Sequence, residues 1–368
     1  MNLYLFIFRL TLFLAFFSFL GDSAFSQEPK SKKLIYYGWG IRDTQYVREN
    51  WKQMEEMPFD GTGIIVAIDQ SKPTSGNGAT VNQLGWQVMG QRSFRIDDFR
   101  KAISDLKIPR WQKFTDNFLP VALSSSVSAA RLNWFDDERW GIITNNFRVL
   151  SNIASEGGAK GLILDPEHYG YALFSYMSQQ KQLDRPFEEY AEVARRRGKE
   201  VMMAISTHLP RVVIFSLFGY TLPFSELKGR KDPKEIQYSL MPAFYDGLLE
   251  AMSDGACLID GYEFAYGFKE RRQFLKGYQQ IREEGFKISR MPDHYRKKVK
   301  AGFGLFLDYR NQHNYFSPEE FKKTLSAALE VSDRYVWLYT QTPRFFPPSN
   351  VETHYVDAIS EARQSMKD

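Results

Sequence analysis

The residues best suited to chemistry in this sequence are two acids that follow a short apolar run. Gly161–Leu164 reads as a buried strand, and Asp165, Pro166 and Glu167 come directly after it. Side chains alternate along a strand, so Asp165 and Glu167 point to the same side. Mutual repulsion and partial burial raise the pKa of one of two such acids, which then stays protonated and can donate to a glycosidic oxygen. The structural alternative makes Asp165 a loop cap and Glu167 the partner of an arginine.

A second group of acids follows the predicted sixth strand, Ala256–Glu263. Asp260 and Glu263 have opposite parity along a regular strand, so one of them faces the pocket unless Gly261 marks a bulge. Glu263 is favoured because it lies further toward the rim, although it can also be an acid at a helix start. Glycoside hydrolysis needs two carboxyl groups, about 5 Å apart for retention and about 6.5–9.5 Å apart for inversion. The sequence therefore predicts Glu167 as acid/base and Glu263 as nucleophile or base, with Asp165 in support.

Polar and aromatic side chains follow the other predicted strands, at the rim where barrel enzymes have their active sites. Their composition is that of a carbohydrate site. Two of them have structural alternatives: Trp337 as inner-layer packing, and Asp308 as the partner of Arg310 in a local ion pair. The predicted substrate-binding residues are Trp39, Tyr169, His208, Tyr262, Asp308, Tyr309, Trp337, Tyr339 and Gln341.

Several other classes of site are disfavoured by composition. The five histidines form no metal-binding pattern, and a single cysteine, Cys257, rules out an internal disulfide or a zinc site built on several cysteines. The net charge of +4 gives no reason to expect nucleic acid or an anionic membrane as partner. We therefore expect no metal and no cofactor, and a carbohydrate as substrate; the oligomeric state is left open.

Short apolar runs alternate with amphipathic stretches from Lys33 onward, which is typical of βα units and a parallel sheet. Eight strands and eight helices can be counted, including a helix over Pro186–Arg197 that stops at Gly198 and a fifth strand over Val201–Ser206. A long loop is predicted over Asp69–Arg95, which is rich in Ser, Gly, Thr and Asn. The fold class predicted is α/β, a single-domain (β/α)₈ TIM barrel over residues 33–368. An open doubly wound sheet is the alternative, but the third glycine of its phosphate-binding turn is absent.

The amino terminus reads as a targeting segment. Leu3–Leu20 is nearly all apolar, and Ala24-Phe25-Ser26 offers small residues at the two positions that a signal peptidase reads. Residues 1–26 are therefore predicted to be a signal peptide, with Gln27 as the new terminus and no stable membrane span afterwards. A retained anchor helix is the rival. Export to a bacterial periplasm or to the medium is expected.

The stretch Gly161–Tyr169 resembles the fourth-strand signature of chitinase-like and hexosaminidase-like barrels. That resemblance implies that Glu167 is the general acid, that Asp165 positions a substrate amide, and that Tyr262 loosely matches a later tyrosine. The longer Asp-x-x-Asp-x-Asp-x-Glu run of true chitinases is absent.

A wider resemblance covers most of the chain. Motifs such as Tyr37-Gly38-Trp39-Gly40 and Tyr335–Tyr339 look like those of uncharacterised exported barrel proteins of polysaccharide-degrading bacteria. The function expected from these observations is an exported glycoside hydrolase acting on a polysaccharide or oligosaccharide. The alternatives are a barrel that binds sugar without cleaving it and an anchored surface protein.

Overall fold

Parallel strands alternate with helices throughout the computed structural model, which describes residues 31–68, 83–124, 132–180, 184–229, 232–308 and 315–365. Each strand is short and mostly buried, as expected for a sheet covered on both faces. The barrel strands are β1 (Lys33–Tyr36), β2 (Gly61–Thr62 with Ile64–Ile65), β3 (Phe118–Ser124), β4 (Gly161–His168), β5 (Val213–Ser216), β6 (Cys257–Asp260), β7 (Val299–Ala301 with Phe303–Phe306) and β8 (Tyr335–Tyr339).

These strands close into a ring. β1 pairs in parallel with both β2 and β8, and parallel pairing runs continuously from β3 to β7. β7 is divided at Gly302: its first half pairs with β6 and its second half with β8. A parallel bridge between Gly63 and Phe118 joins β2 to β3. The ring therefore has eight positions, and the predicted (β/α)₈ barrel is confirmed.

One main helix follows each strand and packs outside the ring. These helices are α1 (Thr44–Met54), α2 (Arg100–Leu106), α3 (Asp137–Glu156), α4 (Phe187–Ser206), α5 (Met241–Ala251), α6 (Arg271–Gln279), α7 (Pro318–Val331) and α8 (Thr353–Gln364). Shorter helical segments are Leu84–Gln87, Ile96–Phe99, Tyr176–Gln180, Thr221–Leu227, Pro233–Glu235, Glu263–Gly267, Gln280–Glu284, Gly285–Ile288 and Pro292–Lys298. Short strands outside the ring are Arg42–Asp43, Arg344–Phe345 and Pro348–Ser349.

The barrel interior is filled by side chains that alternate with outward-facing ones along the strands. The buried cluster inside the ring comprises Ile35, Phe118, Ile163, Phe215, Leu217, Ile259, Tyr335 and Trp337. Trp337 is 1% exposed and lies across Gly304, where an added Cβ would come within 2.7 Å of the indole ring. Trp337 therefore takes the inner-layer packing position, and its predicted contact with substrate is not supported by its placement. A larger apolar cluster fills the space between ring and helices.

The predicted fifth strand, Val201–Ser206, is wrong. Those residues are the last turns of α4, and the fifth strand is Val213–Ser216. The buried residues Ala194, Val201 and Ile205 continue the helical spacing of α4, and that periodicity prevails over local strand propensity. Gly198 lies inside this helix. It is a glycine because a Cβ there would come within 1.9 Å of the Phe244 carbonyl oxygen. The glycine allows close packing of α4 on α5 and does not end the helix.

The barrel forms one compact unit from Lys32 to Asp368. The predicted signal peptide, residues 1–26, lies outside the described residues. Within the described ranges, no helix combines the length and the apolar character needed to cross a bilayer.

Candidate active site

The two acids of β4 occupy the carboxyl end of the barrel. β4 extends through His168, beyond the predicted end at Leu164. Asp165 has the same parity as Ile163, which lies in the barrel interior, so it projects toward the barrel axis. The pairing of β4 with β3 shifts register between Asp165 and His168, so the direction of Glu167 follows from its contacts and not from strand parity. Asp165 is 7% exposed, whereas Glu167 is partly exposed. The sequence predicts that the two side chains share one side of the strand; the Tyr169 hydroxyl, which contacts both carboxyl groups, brings them together across an irregular strand register.

Asp165 and Glu167 are joined through a third residue. The Glu167 backbone N–H donates to Asp165 Oδ1 at 3.0 Å, which fixes the orientation of the Asp165 carboxyl group. The Tyr169 hydroxyl lies 2.9 Å from Asp165 Oδ2 and 2.6 Å from Glu167 Oε2, and can donate to either. The Asp-Pro-Glu segment therefore holds two carboxyl groups around one hydroxyl.

Glu263 reaches the same end of the barrel through a tight turn after β6. Tyr262 has left-handed backbone angles, with φ 42° and ψ 61°, and a short 3₁₀ helix starts at Glu263. Asp260 is fully buried and accepts hydrogen bonds from the backbone N–H groups of Gly219, Thr221 and Tyr262. Asp260 therefore fastens this turn, and Glu263 provides the carboxyl group that remains in the mouth.

The three acids are close enough to influence one another. Burial raises the pKa of Glu263 to about 8, with further contributions from the charges of Glu167 and Asp165. Burial and the charge of Glu167 raise the pKa of Asp165 to about 7. The Tyr37 hydroxyl, at the end of β1, has its pKa raised by burial and by all three carboxylates. In the described part of the chain, no ion pair involves any of the three acids. The site therefore retains protons near neutral pH.

Aromatic rings surround these acids. Tyr339 of β8 stacks on Tyr266 at a centroid distance of 5.6 Å, and Tyr266 hydrogen-bonds to Glu263. Trp39 is 66% exposed, and its indole N–H donates to the Tyr339 hydroxyl at 2.6 Å. Flat apolar rings beside carboxyl groups suit the C–H faces and hydroxyl groups of a sugar. Trp39 and Tyr339, two of the predicted substrate-binding residues, lie side by side in this wall.

The opposite wall contains a residue that sequence reasoning missed. Trp86 lies in the short helix Leu84–Gln87, and its ring is 5.8 Å from that of Tyr169. Gly85 lets this helix press against β3, because a Cβ there would be 2.0 Å from the Pro120 carbonyl oxygen. A cavity of about 50 Å³ lies between Trp86 and Asp165. The buried pair Leu84 and Val88, one helical turn apart within the predicted loop Asp69–Arg95, was the available signal.

Two predicted substrate-binding residues lie away from the mouth. The Tyr262 hydroxyl donates to Gln280 at 2.5 Å, and its ring packs against Phe303 between the ring of strands and the helices. His208 follows α4, not a strand, and lies near Glu156 at the carboxyl end of α3. That position is the opposite end of the barrel, because helices run antiparallel to the strands they follow. The predicted site roles of Tyr262 and His208 are therefore wrong.

Three further predicted residues follow β7 and β8. Asp308 is 1% exposed; its Oδ2 accepts from the Thr342 hydroxyl at 3.2 Å, and its Oδ1 has no partner among the described residues. Gln341 is exposed and hydrogen-bonds to Tyr339. Tyr309 lies outside the described residues. The structure therefore places Gln341 beside the aromatic wall and Asp308 beneath the surface of the same rim.

His168 has a structural role in this region. Its ring stacks on Tyr238 at 4.2 Å, and its Nε2 accepts from the Phe174 backbone N–H at 3.3 Å. Burial lowers the pKa of His168 to about 4, so the ring is neutral at neutral pH. In the ranges that the structure covers, no three His, Cys, Asp or Glu side chains are grouped so as to hold a metal ion.

Solved structures with the same architecture include carbohydrate-active enzymes. The chain resembles a trimodular endoglucanase of the GH5_4 subfamily, with 9% identity over 91% of this chain and 60% of the endoglucanase chain, and a TM-score of 0.53. It also resembles a GH18 chitinase from Pseudoalteromonas aurantia, with 12% identity, 90% and 99% coverage and a TM-score of 0.44. It resembles 3-keto-D-glucoside 4-epimerase from E. coli with 11% identity over 91% of this chain and 100% of the epimerase chain, and a TM-score of 0.40.

No protein-family model and no curated protein matches the chain. At 9% identity, the likeness to the endoglucanase shows the fold alone, and this chain spans 60% of that protein's length. The chain is thus a (β/α)₈ barrel that is loosely similar to those of glycoside hydrolases. Its chemistry has to be inferred from its own residues, because one fold supports many activities.

Proposed function

We propose that this protein is a glycoside hydrolase that uses Glu167 as general acid/base and Glu263 as the second carboxylate. The observation that carries the proposal is the convergence of these two acids from β4 and from the turn after β6 at one aromatic-lined mouth. The charge of Glu167 contributes to the raised pKa of Glu263, so the two acids interact across the mouth. Cleavage of a glycosidic bond requires one protonated and one ionised carboxyl group.

The two acids have different protonation states, and therefore different roles, in the reactive state. When Glu167 is protonated it is neutral, and its contribution to the pKa of Glu263 disappears. Glu263 then ionises more readily and can stabilise or attack the developing oxocarbenium ion, while Glu167 protonates the leaving oxygen. Glu167 is the better donor because it is partly exposed at the strand end, where a bound sugar can reach it.

Aromatic side chains on both sides of these acids supply the surface for sugar rings. Trp39 and Tyr339 form one wall, and Trp86 with Tyr169 forms the other. The two walls flank the acids, so a substrate with several sugar units can contact both while one bond lies at Glu167. We therefore propose an oligosaccharide or polysaccharide as substrate.

Activity assays on a panel of glycans test the proposal. We expect the wild-type protein to hydrolyse at least one of them, and Glu167→Gln and Glu263→Gln each to lower kcat by about 10²- to 10⁴-fold. Glu188→Gln is the matched control, because Glu188 is exposed in the first turn of α4. Hydrolysis that survives in Glu167→Gln contradicts the assignment. Sugar binding without turnover, unchanged in Glu167→Gln, identifies a non-catalytic binding barrel instead.

The roles of the two acids can be separated with activated substrates. Glu167→Ala should retain turnover of aryl glycosides whose leaving group needs no proton, whereas Glu263→Ala should lose turnover of every substrate. Recovery of Glu263→Ala by added azide, with a glycosyl azide as product, supports Glu263 as the second carboxylate, and the anomeric configuration of the wild-type product distinguishes retention from inversion. The reverse pattern would exchange the two roles.

We also propose that the barrel is exported, because the apolar segment Leu3–Leu20 and the small residues before Gln27 have the pattern of a cleaved leader. Mass spectrometry of the mature protein tests this proposal. A chain that begins at Gln27 supports cleavage and export, and a chain that retains Leu3–Leu20 supports an anchor.

A further inference from the structure

The Tyr169 hydroxyl has one proton but two carboxyl neighbours. It lies 2.6 Å from Glu167 Oε2 and 2.9 Å from Asp165 Oδ2. A phenolic hydroxyl donates one hydrogen bond and accepts others. When it donates to Glu167, a second hydrogen bond at Asp165 requires that the Asp165 carboxyl donate to the phenolic oxygen. The three groups therefore form a chain in which each proton has a neighbouring acceptor.

We propose that Tyr169 is a positioning residue that passes a proton between Asp165 and Glu167. This inference rests on the proposed function. In the transfer, the O–H bond of protonated Asp165 breaks as its proton bonds to the Tyr169 oxygen. The Tyr169 O–H bond breaks at the same time, and that proton bonds to Glu167. Asp165 becomes a carboxylate, Glu167 becomes a neutral acid, and the tyrosine is unchanged.

The surrounding contacts hold this chain in place. The Glu167 backbone N–H holds Asp165 Oδ1 at 3.0 Å, so Oδ2 stays turned toward Tyr169. The Tyr169 backbone N–H donates to the Ser124 carbonyl oxygen at 3.2 Å, and its ring packs against Trp86. Asp165 and Tyr169 are thereby fixed by neighbours that do not depend on substrate.

The pKa shifts of Asp165 and Tyr169 suit two different roles, a proton donor and a group that passes the proton on. The pKa of Asp165 is raised to about 7 by burial and by the charge of Glu167, so a proton is available on Asp165 near neutral pH. The pKa of Tyr169 is raised far above its ordinary value, chiefly by burial and by the charge of Asp165, so the tyrosine does not ionise by itself. Asp165 therefore stores the proton, and Tyr169 only conducts it.

These three groups can return a proton to the general acid without the help of water. Once Glu167 has given its proton to the leaving oxygen, it is a carboxylate beneath a bound sugar. Asp165 is 7% exposed and already beside Tyr169, so it can reprotonate Glu167 while the mouth is filled. Tyr169 then acts through Glu167, and its predicted role as a direct sugar contact becomes secondary.

Tyr169→Phe tests the inference, because it removes the hydroxyl and keeps the ring against Trp86. Tyr238→Phe is the matched control: the Tyr238 hydroxyl also experiences the charges of Glu167 and Asp165, but it hydrogen-bonds to the His168 backbone. The first measurement is a carboxyl-carbon NMR titration of the whole protein labelled at its aspartates. We expect the Asp165 midpoint to move by about one pH unit or more in Tyr169→Phe and to stay in place in Tyr238→Phe.

The second measurement compares two substrates of the same enzyme. Tyr169→Phe should lower kcat on a glycan by about 10- to 100-fold and leave KM within about twofold, because proton supply is lost and binding is not. Turnover of an activated aryl glycoside should stay within about twofold. Equal losses on both substrates, a change confined to KM, or an unchanged Asp165 midpoint would overturn the inference.

The two measurements separate this inference from the proposed function. A wild-type protein that hydrolyses no glycan removes the hydrolase proposal. The NMR titration still decides whether Tyr169 links the protonation of Asp165 to that of Glu167. A moved midpoint together with normal kcat on glycans would show coupling without a role in catalysis, and this outcome also counts against the inference.

Discussion

The indole N–H of Trp39 donates a hydrogen bond of 2.6 Å to the hydroxyl of Tyr339. This bond joins the loop after β1 to the end of β8, and the pairing of these two strands closes the ring. Trp39 is nevertheless 66% exposed. A large apolar ring that is fixed in one orientation but exposed to solvent stabilises the fold little, since the hydrophobic effect favours burial. A ligand that covers the ring would recover that free energy.

Trp39→Ala should therefore weaken substrate binding and leave the chemical step intact. We expect KM to rise about tenfold, the equivalent of one lost aromatic contact of about 1.4 kcal/mol, with kcat within about twofold. Trp111→Ala is the control, because Trp111 precedes β3 at the opposite end of the barrel. Steady-state kinetics on the same oligosaccharide measure both variants. An unchanged KM in Trp39→Ala would remove Trp39 from the binding surface.

The raised pKa of Asp165 makes stability depend on pH. An aspartate in the unfolded chain ionises near pH 4, whereas Asp165 holds its proton to about pH 7. Between these values the folded state binds more protons, so stability falls as the pH rises from about 4 through 7. Asp165→Asn mimics the neutral form. It should raise the free energy of unfolding at pH 8 by an amount on the order of 2 kcal/mol, with a smaller effect at pH 5.

Denaturant unfolding of wild type and Asp165→Asn at pH 5 and pH 8 measures this difference. The control is Asp97→Asn, since the Asp97 side chain is exposed and pairs with Arg100 on the surface. A stabilisation that is equal at both pH values would mean that Asp165 is not the titrating group. Asp165→Asn should also lower kcat, because the replacement has no proton to pass to Tyr169.

Much of this site follows from patterns that the sequence displays. The alternation of apolar runs and amphipathic stretches predicts the barrel. An acid that directly follows a strand is predicted to lie at the rim of that barrel. The two-residue period of β4 directs Asp165 inward, whereas Glu167 follows a register shift in the pairing with β3 and is brought beside Asp165 through Tyr169. Features of this kind are local, and they survive in the structure because the ring uses every strand in the same way.

Other features depended on contacts between distant segments. Gly198 looked like a helix stop, but its missing side chain serves the packing of α4 on α5. Tyr262 follows a strand, but the left-handed turn at that residue sends its ring outward and leaves Glu263 in the mouth. Trp86 lay in a predicted loop, and it joins the site only because Gly85 packs against β3. None of these outcomes is encoded in the period of a single segment.

The turn that presents Glu263 depends on Asp260, which accepts hydrogen bonds from the backbone and the hydroxyl of Thr221. Asp260→Asn places an N–H group among donors, so we expect a loss of about 2 kcal/mol in stability and a loss of about tenfold in kcat as Glu263 shifts. Asp246→Asn is the matched control. Asp246 is also buried and accepts from Tyr220 and Ser289, but it lies on α5 away from the acids.

Unfolding experiments and kinetics on both variants distinguish the two effects. Asp246→Asn should lose comparable stability and keep its kcat. A similar decrease of kcat in both variants would mean that general loosening of the barrel, and not the position of Glu263, explains the effect of Asp260→Asn.

The last prediction concerns the end of the barrel opposite the site. Asp116 is 1% exposed, accepts a 2.6 Å hydrogen bond from the Tyr335 hydroxyl, and lies 3.3 Å from Arg334 and 3.7 Å from Lys33. It thereby links the starts of β1, β3 and β8. Because removal of one partner leaves buried charge uncompensated, Asp116→Ala should cost about 3 kcal/mol. Asp293→Ala, which removes an exposed partner of the exposed Arg296, should leave the denaturant midpoint unchanged. Equal midpoints in the two variants would show that this network does not hold the barrel closed.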